Sequence, residues 1–404
     1  MRPIKLSASS INAFKDCPFR FRNAYVLGVR PTEDTDALRI GNHWHEILEV
    51  ASLEPGSDCP DPLCKDDFPD NMPDCPICAG TGRVPDDIME AVVRVLNARY
   101  AEIEFNDPIA KEVERIKLLY SLIGYRWYYA DTLEPTISRE QYFKLPLFNP
   151  STGHPVPNVT IVGKIDKLVI SGCVSVKEHK STSKSIDTDS TYWTHLNMDT
   201  QTSMYVYAAR QLQIRGDLEK YGIKSTDPLI SNILYDVYHK PTISPKKLTQ
   251  GDSKKFVADG MYCGHKFECK PGSEPSDNGY TIKVNGIPAE VEPGKKQGTF
   301  AIRETPEMYG ARLLQDITER PEFYFRCKPL VRTDQEIRNL EYELYDIAKD
   351  MMSKIRANRW WHNERQCEAT FKCPYTETCY NHIEIDLDNL PEGMKCIFDK
   401  KEEK

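Results

Sequence analysis

At 404 residues the chain can hold two or three domains or one decorated catalytic core, and its 40% apolar and 28% charged residues are ordinary for a globular protein. A net charge of −8 argues against a protein that coats nucleic acid non-specifically, since such binding rests on an excess of Lys and Arg, yet it leaves room for a basic cleft on an acidic body. No apolar run approaches a membrane span and the start lacks the apolar centre of a signal peptide, so a cytoplasmic protein without a membrane partner is expected, whose thirteen cysteines point to metal or cluster ligation before disulfides.

Taken in order, Ser7 to Ser10 can cap a helix in which Ile11, Phe14, Phe21 and Tyr25 recur at helical spacing, with Cys17-Pro18 inside it. Gly41 opens a second helix running toward Ala51. Its His45-Glu46 misses the zinc-protease pattern His-Glu-x-x-His, because position 49 is Glu49, and His43 reads as a surface or supporting residue. Between 55 and 85 the composition shifts to Pro, Asp, Gly and Cys, a loop-rich insertion holding Cys59-x4-Cys64 and Cys75-x2-Cys78. Two close cysteine pairs suit a tetrahedral four-thiolate zinc site that would fold this segment, the alternative being a disordered acidic loop. Asp86 and Asp87 start a helix to about Glu104, a second runs from Ile109 to Asp131, and Gln141 to Phe148 reads as a strand.

The runs Val159–Ile170 and Val174–Val176 flank Ser171-Gly172-Cys173 and predict a β-hairpin. Pairing symmetric about Gly172 sets Asp166 opposite Glu178, and Glu178 and Lys180, two apart on a strand, share a face. Two carboxylates so placed can hold Mg²⁺ or Mn²⁺, with the Lys180 ammonium beside the ion to orient water or stabilise phosphate charge. The alternative is an exposed ladder of acids and lysines on a solvated strand.

Residues 181 to 191 form a loop, and Met198 to Gln213 a helix that puts Gln201 and Tyr205 on one face. Leu229 to Tyr238 is a strand by composition. Residues 239 to 300 form a second insertion, whose Lys240, Lys246, Lys247, Lys254 and Lys255 make either a phosphate-binding rim or a solvated loop, while Cys263 and Cys269 fit no four-ligand set. Thr305-Pro306 begins a helix, Phe323 to Lys328 is an aromatic strand, and Asp334 to Arg359 a long helix. Beyond Trp360-Trp361, Cys367, Cys373 and Cys379 give a cluster signal that Cys17 completes to four, with zinc as second candidate occupant. No Walker-type phosphate loop occurs, so any helicase motor belongs to a partner.

Asp166 in a Gly-x-x-Asp context followed by Glu178-x-Lys180 resembles the PD-(D/E)XK nuclease superfamily. Gly41-x-x-x-His45 upstream and Gln201-x-x-x-Tyr205 downstream resemble its RecB-like branch, and the Cys17-Pro18 segment resembles the AddB and CRISPR-associated nucleases of that branch. The resemblance implies an α/β restriction-endonuclease-like core, a mixed sheet flanked by helices. It implies His45 as a third metal ligand with Asp166 and Glu178, Lys180 as catalytic, and Gln201 and Tyr205 as substrate-positioning. It also implies a 4Fe–4S cluster on Cys17, Cys367, Cys373 and Cys379, although the spacing of the last three departs from the usual pattern. The expected division is N-terminal helices (1–54), the zinc-type insertion (55–85), the nuclease core (86–238), the second insertion (239–300) and a C-terminal cluster segment (301–404). The expected activity is a single-strand-preferring DNA exonuclease of recombination, repair or phage DNA metabolism, with bases stacking on Trp360 or Tyr205. A non-catalytic DNA-binding subunit on the same fold and an RNA-directed nuclease remain open.

Overall fold

Apolar strand-forming runs spread from Ile4 to Val331 are gathered into one mixed sheet, and that sheet organises everything else. The protein is described from a computed structural model over residues 3–33, 35–61, 64, 75–271, 281–369 and 372–398. Parts of both expected insertions, residues 62, 63, 65–74 and 272–280, and the last residues of the expected C-terminal segment lie outside the described residues.

The chain opens with β1 (Ile4–Leu6), α1 (Ala8–Asp16), α2 (Pro18–Phe21), β2 (Val29–Pro31) and α3 (Asp36–Ala51). After the cysteine-rich segment come α4 (Ile88–Ala101), α5 (Pro108–Tyr128), β3 (Thr136–Phe148), β4 (Pro155–Ser171), β5 (Cys173–Thr182), α6 (Thr200–Ile214) and β6 (Asn232–His239). The second insertion carries α7 (Gln250–Asp259) and short strands from β7 (Met261–Tyr262) to β13 (Phe300–Ile302). The chain closes with α8 (Pro306–Glu319), α9 (Pro321–Tyr324), β14 (Phe325–Val331), α10 (Asp334–Ala357), α11 (Thr376–Tyr380) and β15 (Met394–Cys396).

The sheet runs β1-β4-β5-β6-β14, with β3 also paired to β4. β1 is parallel to β4 and β5 to β6, while β4–β5, β3–β4 and β6–β14 are antiparallel. One hydrophobic core joins α1, α6 and α10 to sheet residues such as Leu168, Val176 and Ile233. A second joins α3, α4, α5 and α8 to Tyr238 and Phe325. With helices on both sides, β6 is buried from Ile233 to His239, which explains its near-continuous apolar run. The long helix α10 begins with a capping box between Thr333 and Glu336, and its buried residues Ile337, Leu340, Leu344, Ala348 and Met351 form one stripe.

Several expected boundaries move, for local reasons. Cys17 does not lie inside a helix: α1 ends before it, and Cys17 is extended at φ −162°, ψ 114°. Pro18 disfavours helical geometry in the residue before it, and itself starts α2. The second helix starts at Asp36, before Gly41, because Thr35 accepts from Leu38 N and caps it there. His43 is no surface residue; it shares the buried stripe of α3 with Ile47 and Val50, its ring 5.1 Å from that of Tyr100.

The two ends of the chain meet. β15 pairs antiparallel with β2, Tyr375 Oη donates to Val29 O at 2.6 Å, and Asn363 Nδ2 donates to Asp16 O at 2.8 Å. The second insertion has its own core of Leu248, Phe256, Phe267, Ile282, Val284 and Ile302, seated on Met308 and Ala311 of α8. Among the described residues no helix is long and apolar enough to cross a membrane.

In β4, Gly163 pairs with Phe143 of β3, and a Cβ on it would lie 2.5 Å from the Phe143 ring, which is itself backed by Tyr205 at 6.1 Å between centroids. Gly163→Ala is therefore expected to cost about 1–3 kcal/mol by overpacking. Combined with Phe143→Leu, it should cost less than the two single changes added together, as read from urea unfolding.

Candidate active site

The β4–β5 hairpin pairs symmetrically about Gly172, from Ser171↔Cys173 back to Lys167↔Lys177, and there the ladder stops. Asp166 and Glu178 would form the next pair. Instead the Asp166 side chain takes over, and its Oδ2 accepts a hydrogen bond from His179 N at 2.9 Å. The strands thus part where the two acids stand. α3 passes beside this opening, close enough that a Cβ on Gly41 would lie 3.4 Å from Ser181 Oγ, and it brings His45 Nδ1 to 3.3 Å from Asp166 Oδ2.

Glu178 is 1% exposed. Its Oε1 accepts from Lys180 Nζ at 2.6 Å and from Gln201 Nε2 at 2.9 Å, while its buried Oε2 has no hydrogen-bond partner. Gln201, in the first turn of α6, also accepts from Lys180 Nζ at 3.0 Å and donates to Tyr205 Oη at 2.9 Å. One amide therefore fixes both the acid and the lysine. The N-cap Asp199, accepting from Thr202 N, starts α6 at the position that aims Gln201 inward. His45, Asp166, Glu178, Lys180, Gln201 and Tyr205 are thus brought into one site.

Burial opposes charge on Asp166, but the hydrogen bond and charge of His45, with His179 beyond, hold its carboxyl well below the usual range. Burial pushes the Glu178 carboxyl up to about 7 against the pull of Lys180. Burial also works against the Lys180 ammonium, but the adjacent Glu178 outweighs it and raises the lysine. Two carboxylates, an imidazole and an orphaned buried carboxylate oxygen make a donor set suited to a hard divalent cation.

Behind this site lies a second polar network that motif reasoning missed. Lys177 and His179 alternate with Glu178 and Lys180 along β5, so they occupy its opposite face. His179 Nδ1 is 3.1 Å from Asp236 Oδ2 and Lys177 Nζ is 2.7 Å from Glu134 Oε2 and 3.5 Å from Asp236 Oδ2. Tyr125 Oη donates to Asp236 at 2.5 Å. Burial and the nearby Lys167 ammonium push His179 down to about 4, leaving a neutral ring. Burial disfavours charge on Asp236, but Lys177, His179 and Tyr125 more than compensate and hold its carboxyl well below the usual range. The one signal in the sequence was an acid, Asp236, in the otherwise apolar run Ile233–Tyr238.

One expectation needs correction. Tyr205 is 9% exposed, with its ring against Phe143 and its hydroxyl on Gln201, so it cannot serve as a stacking platform for bases. Of the insertion lysines, Lys247 is paired with Glu292 and Lys240 donates to Ala37 O at 3.1 Å. The insertion itself sits on α8.

Cysteines gather at two places. Cys17, Cys367, Cys373 and Cys379 line one cavity with Phe19, His362 and Tyr375. Cys59, Cys64, Cys75 and Cys78 lie closer together, their sulfurs all within 4.8 Å of one another. Cys263 and Cys269 pack against the core of the second insertion.

A family model of the PD-(D/E)XK nuclease superfamily matches residues 5–380, which include the site and both groups of cysteines. No curated protein matches the chain.

Removing Asp236 would leave the buried Lys177 without one of its counter-charges and His179 without its acceptor. Asp236→Ala should therefore destabilise the fold by about 3–5 kcal/mol, measured by urea unfolding at neutral pH.

Proposed function

The chain belongs to the PD-(D/E)XK nuclease superfamily, whose members hydrolyse nucleic-acid phosphodiesters with divalent metals, and from this premise we propose a DNA exonuclease of the RecB/AddB-like branch that prefers single strands. The observation that carries the reading is the parting of β4 from β5 at Asp166 and Glu178, with Lys180 and His45 beside them. The orphaned Glu178 Oε2 supports a cation there, since a buried carboxylate oxygen without a donor is costly. Asp166, Glu178 and His45 would hold Mg²⁺ or Mn²⁺. When bound, such an ion polarises a phosphate oxygen and makes a coordinated water more acidic.

The chain's own residues do the rest. Asp166 is kept ionised and aimed by His179 N and His45. Lys180 spends two of its three N–H donors on Glu178 and Gln201, and the third is left to hold the attacking water or a phosphate oxygen as negative charge grows. Gln201 is a positioning residue, since it grips both Glu178 and Lys180, and Tyr205 anchors Gln201. In this division of labour, 55–85 and 239–300 are additions to a nuclease core.

That Cys17, Cys367, Cys373 and Cys379 line one cavity supports a 4Fe–4S cluster held by these four sulfurs, with zinc as the second candidate. Such a cluster would reinforce the β2–β15 pairing and close the chain ends on each other. A closed path suits a flexible single strand with a free end more than a stiff duplex. Any DNA-unwinding motor would come from a helicase or recombination partner.

Asp166→Ala, Glu178→Ala and Lys180→Ala should each lower cleavage of labelled linear single strands by about 10²-fold or more in Mn²⁺, in protein that still folds by circular dichroism. Wild-type rates in the Asp166 or Lys180 variant would overturn the assignment. Linear strands should vanish while covalently closed circles of the same sequence persist, and equal rates would indicate an open endonucleolytic cleft.

Protein prepared without oxygen should be brown and contain iron, and Cys373→Ala should lose both colour and iron. Colourless protein holding zinc alone would replace the cluster with a zinc site and leave the nuclease reading standing.

A further inference from the structure

The described residues of the segment between α3 and α4 have almost no apolar core. Among its described residues the buried cluster consists of Cys59, Cys75 and Cys78, with Cys64 and Ile77 against them. A core made of sulfur is a weak source of folding energy, because thiols are poor hydrogen-bond donors and this one is small. Yet the segment is built with definite geometry.

Cys59 Sγ lies 3.8 Å from Cys75 Sγ, and Cys64 Sγ lies 3.5 Å from Cys78 Sγ. These cysteines are free, not disulfide-bonded. With metal–sulfur bonds of about 2.3 Å, the edge of a tetrahedral four-thiolate zinc site is about 3.8 Å. One separation matches that edge and the other falls slightly short of it. The backbone after the second pair is shaped for the same purpose: Ala79, Gly80 and Gly82 all have positive φ, at 50°, 82° and 69°. The turn folds back on the pair, with Ala79 N donating to Cys75 O at 2.8 Å and Thr81 N to Cys78 O at 3.1 Å. Cys75 Sγ also donates a hydrogen bond to Asp61 Oδ2 at 3.6 Å.

We propose that Cys59, Cys64, Cys75 and Cys78 bind one zinc ion in a four-thiolate site that fastens α3 to α4. The base of the segment is closed by Cys59 N donating to Gly82 O at 2.8 Å and by Gly56 and Val84 exchanging N–H and carbonyl groups with their neighbours. Its tip is gripped by α4: Arg94 donates to Pro76 O at 3.2 Å and to Ile77 O at 2.8 Å. Val84 enters the core shared by α3, α4 and α5. α3 carries His45, so the ion holds in place the helix that supplies one side of the candidate active site. The zinc site does not depend on the nuclease reading, since its ligands are outside that site.

The test is metal analysis of the full chain, expressed in zinc-supplemented medium and purified without chelator. Wild type should hold one zinc per chain, and Cys75→Ser with Cys78→Ser should lower it at least tenfold, whereas Cys373→Ser should leave it unchanged. Replacing zinc by Co²⁺ should give the intense visible bands of tetrahedral thiolate cobalt in wild type. If the double variant does not fold, titration of wild type with an organomercurial should release one zinc as four thiols react, read with a metallochromic dye. Zinc retained in the double variant, no zinc in wild type, or iron in place of zinc at these cysteines would each overturn the proposal.

Discussion

The hydrogen bond from His179 N to Asp166 Oδ2 is the interaction on which the candidate site depends. In an unbroken hairpin that N–H would face a neighbouring strand's carbonyl or water, and Asp166 and Glu178 would stand as an ordinary cross-strand pair, repelling each other. By satisfying the N–H with a side chain, the protein ends the β4–β5 ladder at Lys167–Lys177 without leaving that donor unpaired. The space so opened is flanked by α3 and α6, which deliver His45 and Gln201 from opposite sides of the sheet.

The same short strand also explains how the site is held. Glu178 and Lys180 face α6, while Lys177 and His179 face the network around Asp236. Glu178 and Lys180 pair on one face, and Lys177 pairs with Glu134 and Asp236 on the other, as buried charges must in a medium of low dielectric constant. The backbone of His179 aims Asp166, and its ring is anchored by Asp236 and thereby by Tyr125 of α5. Position is therefore transmitted from the helical layer through a neutral imidazole to the acid that faces the opening.

The periphery follows a different logic. Residues 361–398 contribute little to the main cores, and they are joined to the N-terminal segment by the short β2–β15 pairing, by Tyr375 and by Asn363, next to a cavity walled by four cysteines. The segment before α4 likewise relies on sulfur where apolar side chains are scarce. Fastening such segments by ligands saves the area of hydrophobic surface that a conventional core would require. The larger second insertion has no need of this, since Phe256, Phe267 and Ile302 give it a core seated on α8.

What the sequence determined by itself was local or periodic. The hairpin about Gly172, the faces of Glu178 and Lys180, the helix carrying Gln201 and Tyr205, and the cysteine pairs 59/64 and 75/78 all follow from strand alternation, helical spacing and turn chemistry, which depend on neighbours a few residues apart. Boundaries were legible only to within a few residues, because Thr35 and Pro18, not the apolar pattern, decided where α3 began and where α1 ended. Tertiary structure alone decided what is distant in sequence: that His179 N would be claimed by Asp166, that Asp236 and Tyr125 would meet His179, and that Tyr205 would be buried as an anchor instead of presented to solvent. Those outcomes depend on which surfaces the packing of α3, α5 and α6 removes from water. No spacing within one element encodes that choice, since it arises only when separate elements compete to bury their apolar faces on one sheet.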